Sequence, residues 1–125
     1  MKFIISLEEG TIVDKESSLE MKRLLYLTDR RIRYAAATVL DSAGVYFKSG
    51  SFYKCDRTKN PACGDYEGNV YNYMNSVAIV EHTNGIKYAV CLMSNVLEKN
   101  SAYDHLMLST KIDKIIQGYH LSSED

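Results

Sequence analysis

Apolar positions follow two different periods along this chain, helix-like at both ends and strand-like in the middle. Lys2 to Glu9 is apolar on one side and stops at Gly10; the segment is too short for period alone to separate helix from strand, and Gly10 as a left-handed cap favours a helix end. Thr11 to Asp14 is a turn or a single strand bridge. Ser17 or Ser18 then precedes Leu19–Leu25, with Glu20 three residues after Ser17 as in a capping box, and Met21, Leu24 and Leu25 share one helical face. Thr28 or Asp29 can cap a second helix from Arg30 towards Leu40, where Ala35, Ala36 and Ala37 permit close packing.

From Val45 the pattern changes. Val45-Tyr46-Phe47 and Phe52-Tyr53 read as extended chain joined through Lys48-Ser49-Gly50-Ser51, and a polar loop with Pro61 follows from Asp56 to Asn69. Ser76–Glu81 is the next strand. Thr83-Asn84-Gly85 supplies a hairpin turn, and Ile86–Met93 is the partner strand. Asn100 or Ser101 can cap a last helix from Ala102 to about Gln117, with Leu108, Ile112, Ile115 and Ile116 as its apolar stripe and Gly118 at its end. The expected fold class is α+β, of α/β-sandwich type: an antiparallel sheet of about three strands with flanking helices and a C-terminal helix. No repeat or low-complexity tract interrupts it.

Composition narrows the function classes. A chain of 125 residues with 46% hydrophobic and 25% charged residues has the make-up of one folded domain, which excludes disordered, collagen-like and coiled-coil classes. Fifteen Lys and Arg against sixteen Asp and Glu leave a net charge of -1, so no global field recruits nucleic acid. The apolar runs fall short of the roughly 20 residues that a membrane span needs, and Met1–Leu7 is too short for the core of a signal peptide. Ten Tyr with no Trp suit half-buried sheet faces and cleft walls.

Chemistry concentrates at Lys48-Ser49-Gly50-Ser51, which puts a cation, a hydroxyl and a glycine in succession on a strand. A lysine on an edge strand orients a substrate carboxylate, the adjacent hydroxyl donates a hydrogen bond to it, and glycine lets a ligand backbone approach. This K-[ST]-G strand, the helical segment before it, Asn75–Val80 after it, the hairpin and the closing helix resemble the C-terminal part of the serine β-lactamase and penicillin-binding protein superfamily, class A-like, over nearly the whole chain. The resemblance implies part of a β-lactamase/transpeptidase-like fold, a single partial domain over residues 1–125, usually from a periplasmic or extracytoplasmic parent. It makes Lys48 the electrostatic lysine, Ser49 the carboxylate-binding hydroxyl and Gly50 the clearance position, with the Ser51 backbone N–H as a donor towards the oxyanion hole. Substrates would be a β-lactam or a peptidoglycan peptide, and no cofactor or metal is implied.

The family also needs S-x-x-K and then [SY]-x-N before this strand, and neither precedes Lys48. Ser51-Phe52-Tyr53-Lys54 spells the first, but on a strand residues three apart face opposite ways; Tyr73-Met74-Asn75 spells the second, but after Lys48. Both read as coincidence. The expectation is therefore the C-terminal piece of a serine acyl-enzyme that hydrolyses β-lactam amides or acts as a D-alanyl-D-alanine peptidase, silent by itself. The rival is a non-catalytic α/β module that binds a partner at an open sheet edge. Missing partner strands would leave Ile86–Met93 with a free edge, through which a homodimer is expected.

Other residues read more blandly. Cys55 and Cys63 flank part of the polar loop, where a disulfide is expected if the parent is exported; Cys91 reads as a packed thiol, and the spacing makes no zinc site. His82, His105 and His120 read as surface or capping residues, Asp104 and Asp113 as solvent-facing. Arg30, Arg31 and Arg33, near Lys22 and Arg23, read as a solvated helix face.

Overall fold

The computed structural model describes residues 1–28, 34–52, 73–95 and 102–122. Helix α1 (Lys2–Glu9) ends as expected on Gly10, whose φ of 72° is the left-handed conformation that glycine adopts without a Cβ clash. Helix α2 (Lys15–Tyr26) starts earlier than the capping-box pattern indicated. Asp14 is its N-cap, with one carboxylate oxygen accepting from the Ser17 N–H at 2.7 Å and the other from the Ser17 hydroxyl at 3.1 Å. A carboxylate at a helix N-terminus also meets the positive end of the helix dipole. Glu20 is thereby released to pair with Arg23.

The helix expected from Arg30 to Leu40 is not formed over its described part. Tyr34–Ala36 and Thr38–Leu40 are separate 3-10 turns divided by Ala37 in extended conformation. Tyr34, Ala35, Ala37 and Leu40 are all buried, so this segment is wedged into the core from several sides and no single helical stripe is selected.

Strands β1 (Gly44–Phe52), β2 (Tyr73–Glu81) and β3 (Lys87–Asn95) form an antiparallel meander in the order β1-β2-β3. Lys48 to Ser51, expected to join two extended pieces, is itself continuous strand, with Lys48 opposite Val77 and Gly50 opposite Asn75. The β2–β3 hairpin forms at the Asn84-Gly85 turn, where Gly85 has φ 89°. Helix α3 (Ala102–Leu121) runs through Gly118, which keeps a helical φ and accepts from the Ser122 N–H at 3.2 Å.

Both sheet faces are covered, giving a helix–sheet–helix sandwich. On one face α1 and α2 pack Ile4 and Leu7 against Ile79, with Met21, Leu25 and Tyr46 around them. On the other, α3 and the 3-10 turns pack over Val45, Phe47, Ala78 and Val80. Ala78, Ile79 and Val80 are buried in succession because β2, the central strand, has cover on both sides. Burying those methyl groups is the main driving force for the fold.

The face of α3 turned to the sheet differs from the apolar stripe in the sequence. Ile112 and Leu106 pack on the core, but Ile115 is 71% exposed and Leu108 is also exposed, while His105, Ser109 and Asp113 are buried. The histidines and Asp113 are corrected with it. Asp113, expected in solvent, is 4% exposed and accepts from the Tyr88 hydroxyl at 2.8 Å, with the His82 ring nitrogen at 2.7 Å. His82 and His105 are interior groups, not surface ones; His120 is exposed. Helix periodicity found apolar side chains but could not register a polar network that outcompetes them for the interior.

Candidate functional site: the free edge of β1

Among the described residues β1 pairs on one side only, with β2, so its other edge presents unpaired backbone donors and acceptors. Lys48, Ser49 and Gly50 lie along this edge. Lys48 is exposed, and its ammonium donates to the Ser49 carbonyl at 2.7 Å. No carboxylate pairs with it among the described residues. A Cβ built on Gly50 would meet nothing within 4 Å, so the space over the strand is open.

Alternation places Lys48 and Ser49 on opposite faces of the sheet. A ligand on one face would reach only one of them, whereas a ligand lying along the edge, in the plane of the sheet, is flanked by both. Lys48 and Gly50 share their face with Asn75, Val77, Cys91 and Met93, which line a shallow cavity of about 420 Å³ beyond the cover of α1 and α2. Asn75 stands opposite Gly50 in the register, and its side-chain oxygen accepts from the Ser94 N–H at 3.2 Å, which ties its amide to β3. Sequence reading set Asn75 aside within a Y-x-N coincidence; only the cross-strand register brings it to Gly50.

Ser51 is the next residue of β1, opposite Met74. Lys54, Cys55, Cys63 and the arginines 30, 31 and 33 lie outside the described residues, and with them the expected disulfide and the basic cluster. Lys22 is not part of a free basic patch, because it pairs with Glu8 at 2.7 Å and Glu81 at 2.6 Å. Cys91, expected as a packed thiol, is free and exposed, because β3 extends past the helices that cover its face.

Buried His105 and half-buried His82 invite comparison with catalytic pairs, and neither geometry fits. Ser94 Oγ is 3.0 Å from His105 Nε2, but it donates to the Met74 carbonyl at 2.6 Å, so its only proton is committed and the imidazole cannot accept it. In the His82–Asp113–Tyr88 group Asp113 is buried and its two partners are half-buried, and burial raises the Tyr88 and Tyr34 hydroxyls above the ordinary phenol value. No cluster of three or more His, Cys, Asp or Glu able to hold a metal ion occurs among the described residues. Nor is any described helix long and apolar enough to cross a membrane.

Comparison of the chain with protein-family models, with curated proteins and with solved structures found no match.

Proposed function

We propose that this chain is the carboxylate-recognition part of a serine β-lactamase-like acyl-enzyme, taking a β-lactam or a D-alanyl-D-alanine peptide along the free edge of β1. The observation that carries the reading is the K-S-G sequence on an outer strand, with an exposed ammonium that no described carboxylate pairs and open space over its glycine. The ligand carboxylate sits between the Lys48 ammonium and the Ser49 hydroxyl as a charge-assisted pair. The ligand backbone adds to the strand edge, with Gly50 giving clearance and the Ser51 N–H donating to the ligand's carbonyl oxygen. In a complete enzyme of this type, a serine in S-x-x-K attacks that carbonyl and forms an acyl-serine, which water then hydrolyses. No S-x-x-K precedes Lys48 in this sequence, so this chain binds without turnover.

The test is a titration of the isotope-labelled chain with benzylpenicillin, followed through backbone amide resonances and, in parallel, intact-mass spectrometry. Shifts centred on Lys48 to Ser51, no covalent adduct, and affinity about tenfold weaker in Lys48→Ala or for the penicillin methyl ester are expected. Absent or scattered shifts, or a Lys48→Ala variant that binds equally well, would overturn the assignment.

The same free edge favours a second reading, a non-catalytic module that captures an extended peptide by strand addition. It predicts equal binding of peptides ending in L- or D-alanine, whereas the acyl-enzyme reading predicts preference for the D,D end.

A further inference from the structure

The two outer strands of the sheet are defended differently. Natural edge strands are protected from pairing by mid-strand charges, proline or bulges. Strand β1 has Lys48 at its centre, and pairing two copies of it there would set lysine against lysine. Strand β3 has no proline, no break in its register with β2, and no charge after Lys87.

Its outward backbone groups can be assigned. The His82 N–H donates to the Ile86 carbonyl at 2.9 Å, which makes that pair a hydrogen-bonded one. Counting by twos along the register, Lys87, Ala89, Cys91 and Met93 are the non-hydrogen-bonded partners of β2, so their N–H and C=O groups point away from the sheet.

We propose that β3 pairs antiparallel with β3 of a second copy of this chain, about a two-fold axis at Cys91, joining two meanders into one continuous six-stranded sheet. Cys91 is the middle residue of the nine in β3, so this register alone pairs the whole strand and satisfies every outward group within it. The opposed side chains are compatible: Val90 meets Leu92, Tyr88 meets Ser94 and Ala89 meets Met93, with no like charges across the axis.

A second feature fits the same partner. Between α1 and β3 lies a groove of about 220 Å³ whose walls are Ile4, Ile5, Ile79, Tyr88 and Ala89, with the charged side chains of Glu8, Glu9 and Lys87 also lining it. Met93 is 75% exposed and lies on the same sheet face as Ala89. Across the two-fold axis, each Met93 sits opposite the Ala89 of the other copy, beside that groove. A flexible thioether suits the apolar walls of such an irregular cleft. The pairing thus covers the exposed methionine and the groove of both copies at once.

Sedimentation velocity of the full chain over a range of concentrations, with excess reductant to keep Cys91 a thiol, tests the proposal. The wild type is expected to sediment as a concentration-dependent dimer. Cys91→Lys and Cys91→Glu each place like charges on the axis and should raise the dissociation constant about tenfold or more. An equimolar mixture of the two variants should recover the dimer, which also shows that both still fold. Met93→Asp, moving a charge to the groove, should weaken the wild-type dimer as well. A wild type that stays monomeric, a Cys91→Lys variant that dimerises like the wild type, or a mixture no better than its components would each overturn it. These readouts do not involve Lys48, so they stand or fall separately from the ligand reading at β1.

Discussion

A carboxylate withdrawn from water needs strong hydrogen-bond partners, and Asp113 meets that need with His82 at 2.7 Å and the Tyr88 hydroxyl at 2.8 Å. Removing it leaves two buried polar groups without their shared partner. Asp113→Ala should therefore cost about 3–5 kcal/mol in urea unfolding, whereas Ser122→Ala, which removes an exposed bond to the Tyr119 carbonyl, should cost about 1 kcal/mol or less. Equal losses would mean that Asp113 is not the anchor of α3. At the same scale lies the limit of the sequence pattern. The spacing of Leu108, Ile112 and Ile115 is helical whichever way the helix turns, and it cannot report that His82 and Tyr88 wait on the facing hairpin to hold Asp113. That Lys48, Ser49 and Gly50 follow one another on extended chain was legible because they are adjacent. That Asn75 stands opposite Gly50 was not, since strand pairing alone sets it there.

Elements are tied together by a charged quartet. Glu8 of α1, Lys22 of α2, Glu81 of β2 and Lys87 beside it on β3 form four ion pairs, and Lys22 also lies 4.3 Å from the centre of the Tyr46 ring. Burial acts to raise the Glu81 carboxyl, but hydrogen bonds from Lys22, Lys87 and Tyr46 outweigh it and hold the group at about 2 against an ordinary 4.5. Glu8 is lowered for the same reasons, its burial outweighed by Lys22 and Lys87. A depressed carboxylate stabilises the fold above its unfolded value and loses that contribution as pH falls from about 4.5 through about 2. Lys87 is raised by its bonds to Glu8 and Glu81, so its contribution is present below 10.5 and fades at more alkaline pH. Unfolding midpoints measured against pH should fall below about pH 4.5 in the wild type, and Glu81→Gln should flatten that decline. An unchanged acid slope in the variant would remove Glu81 from the account. The hairpin was legible because Asn84-Gly85 selects the turn within a few residues. The failed helix at 34–40 was not, because alanine-rich sequence favours a helix in isolation and the core pulls it into two short turns.

At the scale of the molecule, two outer strands leave one sheet with two open edges among the described residues, one polar and charged, the other apolar and undefended. If β3 pairs with a second copy, folding is linked to association, and the thermal midpoint of the wild type should rise with protein concentration while that of Cys91→Lys does not. Differential scanning calorimetry over a wide concentration range checks this, and parallel behaviour of the two proteins would contradict it. The sequence by itself determined the α+β class, the order of the elements apart from the helix expected at 30–40, the hairpin turn and the Lys48-Ser49-Gly50 tripeptide, because periodicity, turn chemistry and a tripeptide are properties of neighbours along the chain. Tertiary structure alone decided which face of α3 is buried, that Lys48 and Ser49 flank an edge from opposite faces, that Asn75 stands opposite Gly50, and that Cys91 stands exposed at the middle of an outer strand. Each of these depends on register and layering between segments far apart in sequence, and no local pattern encodes that pairing.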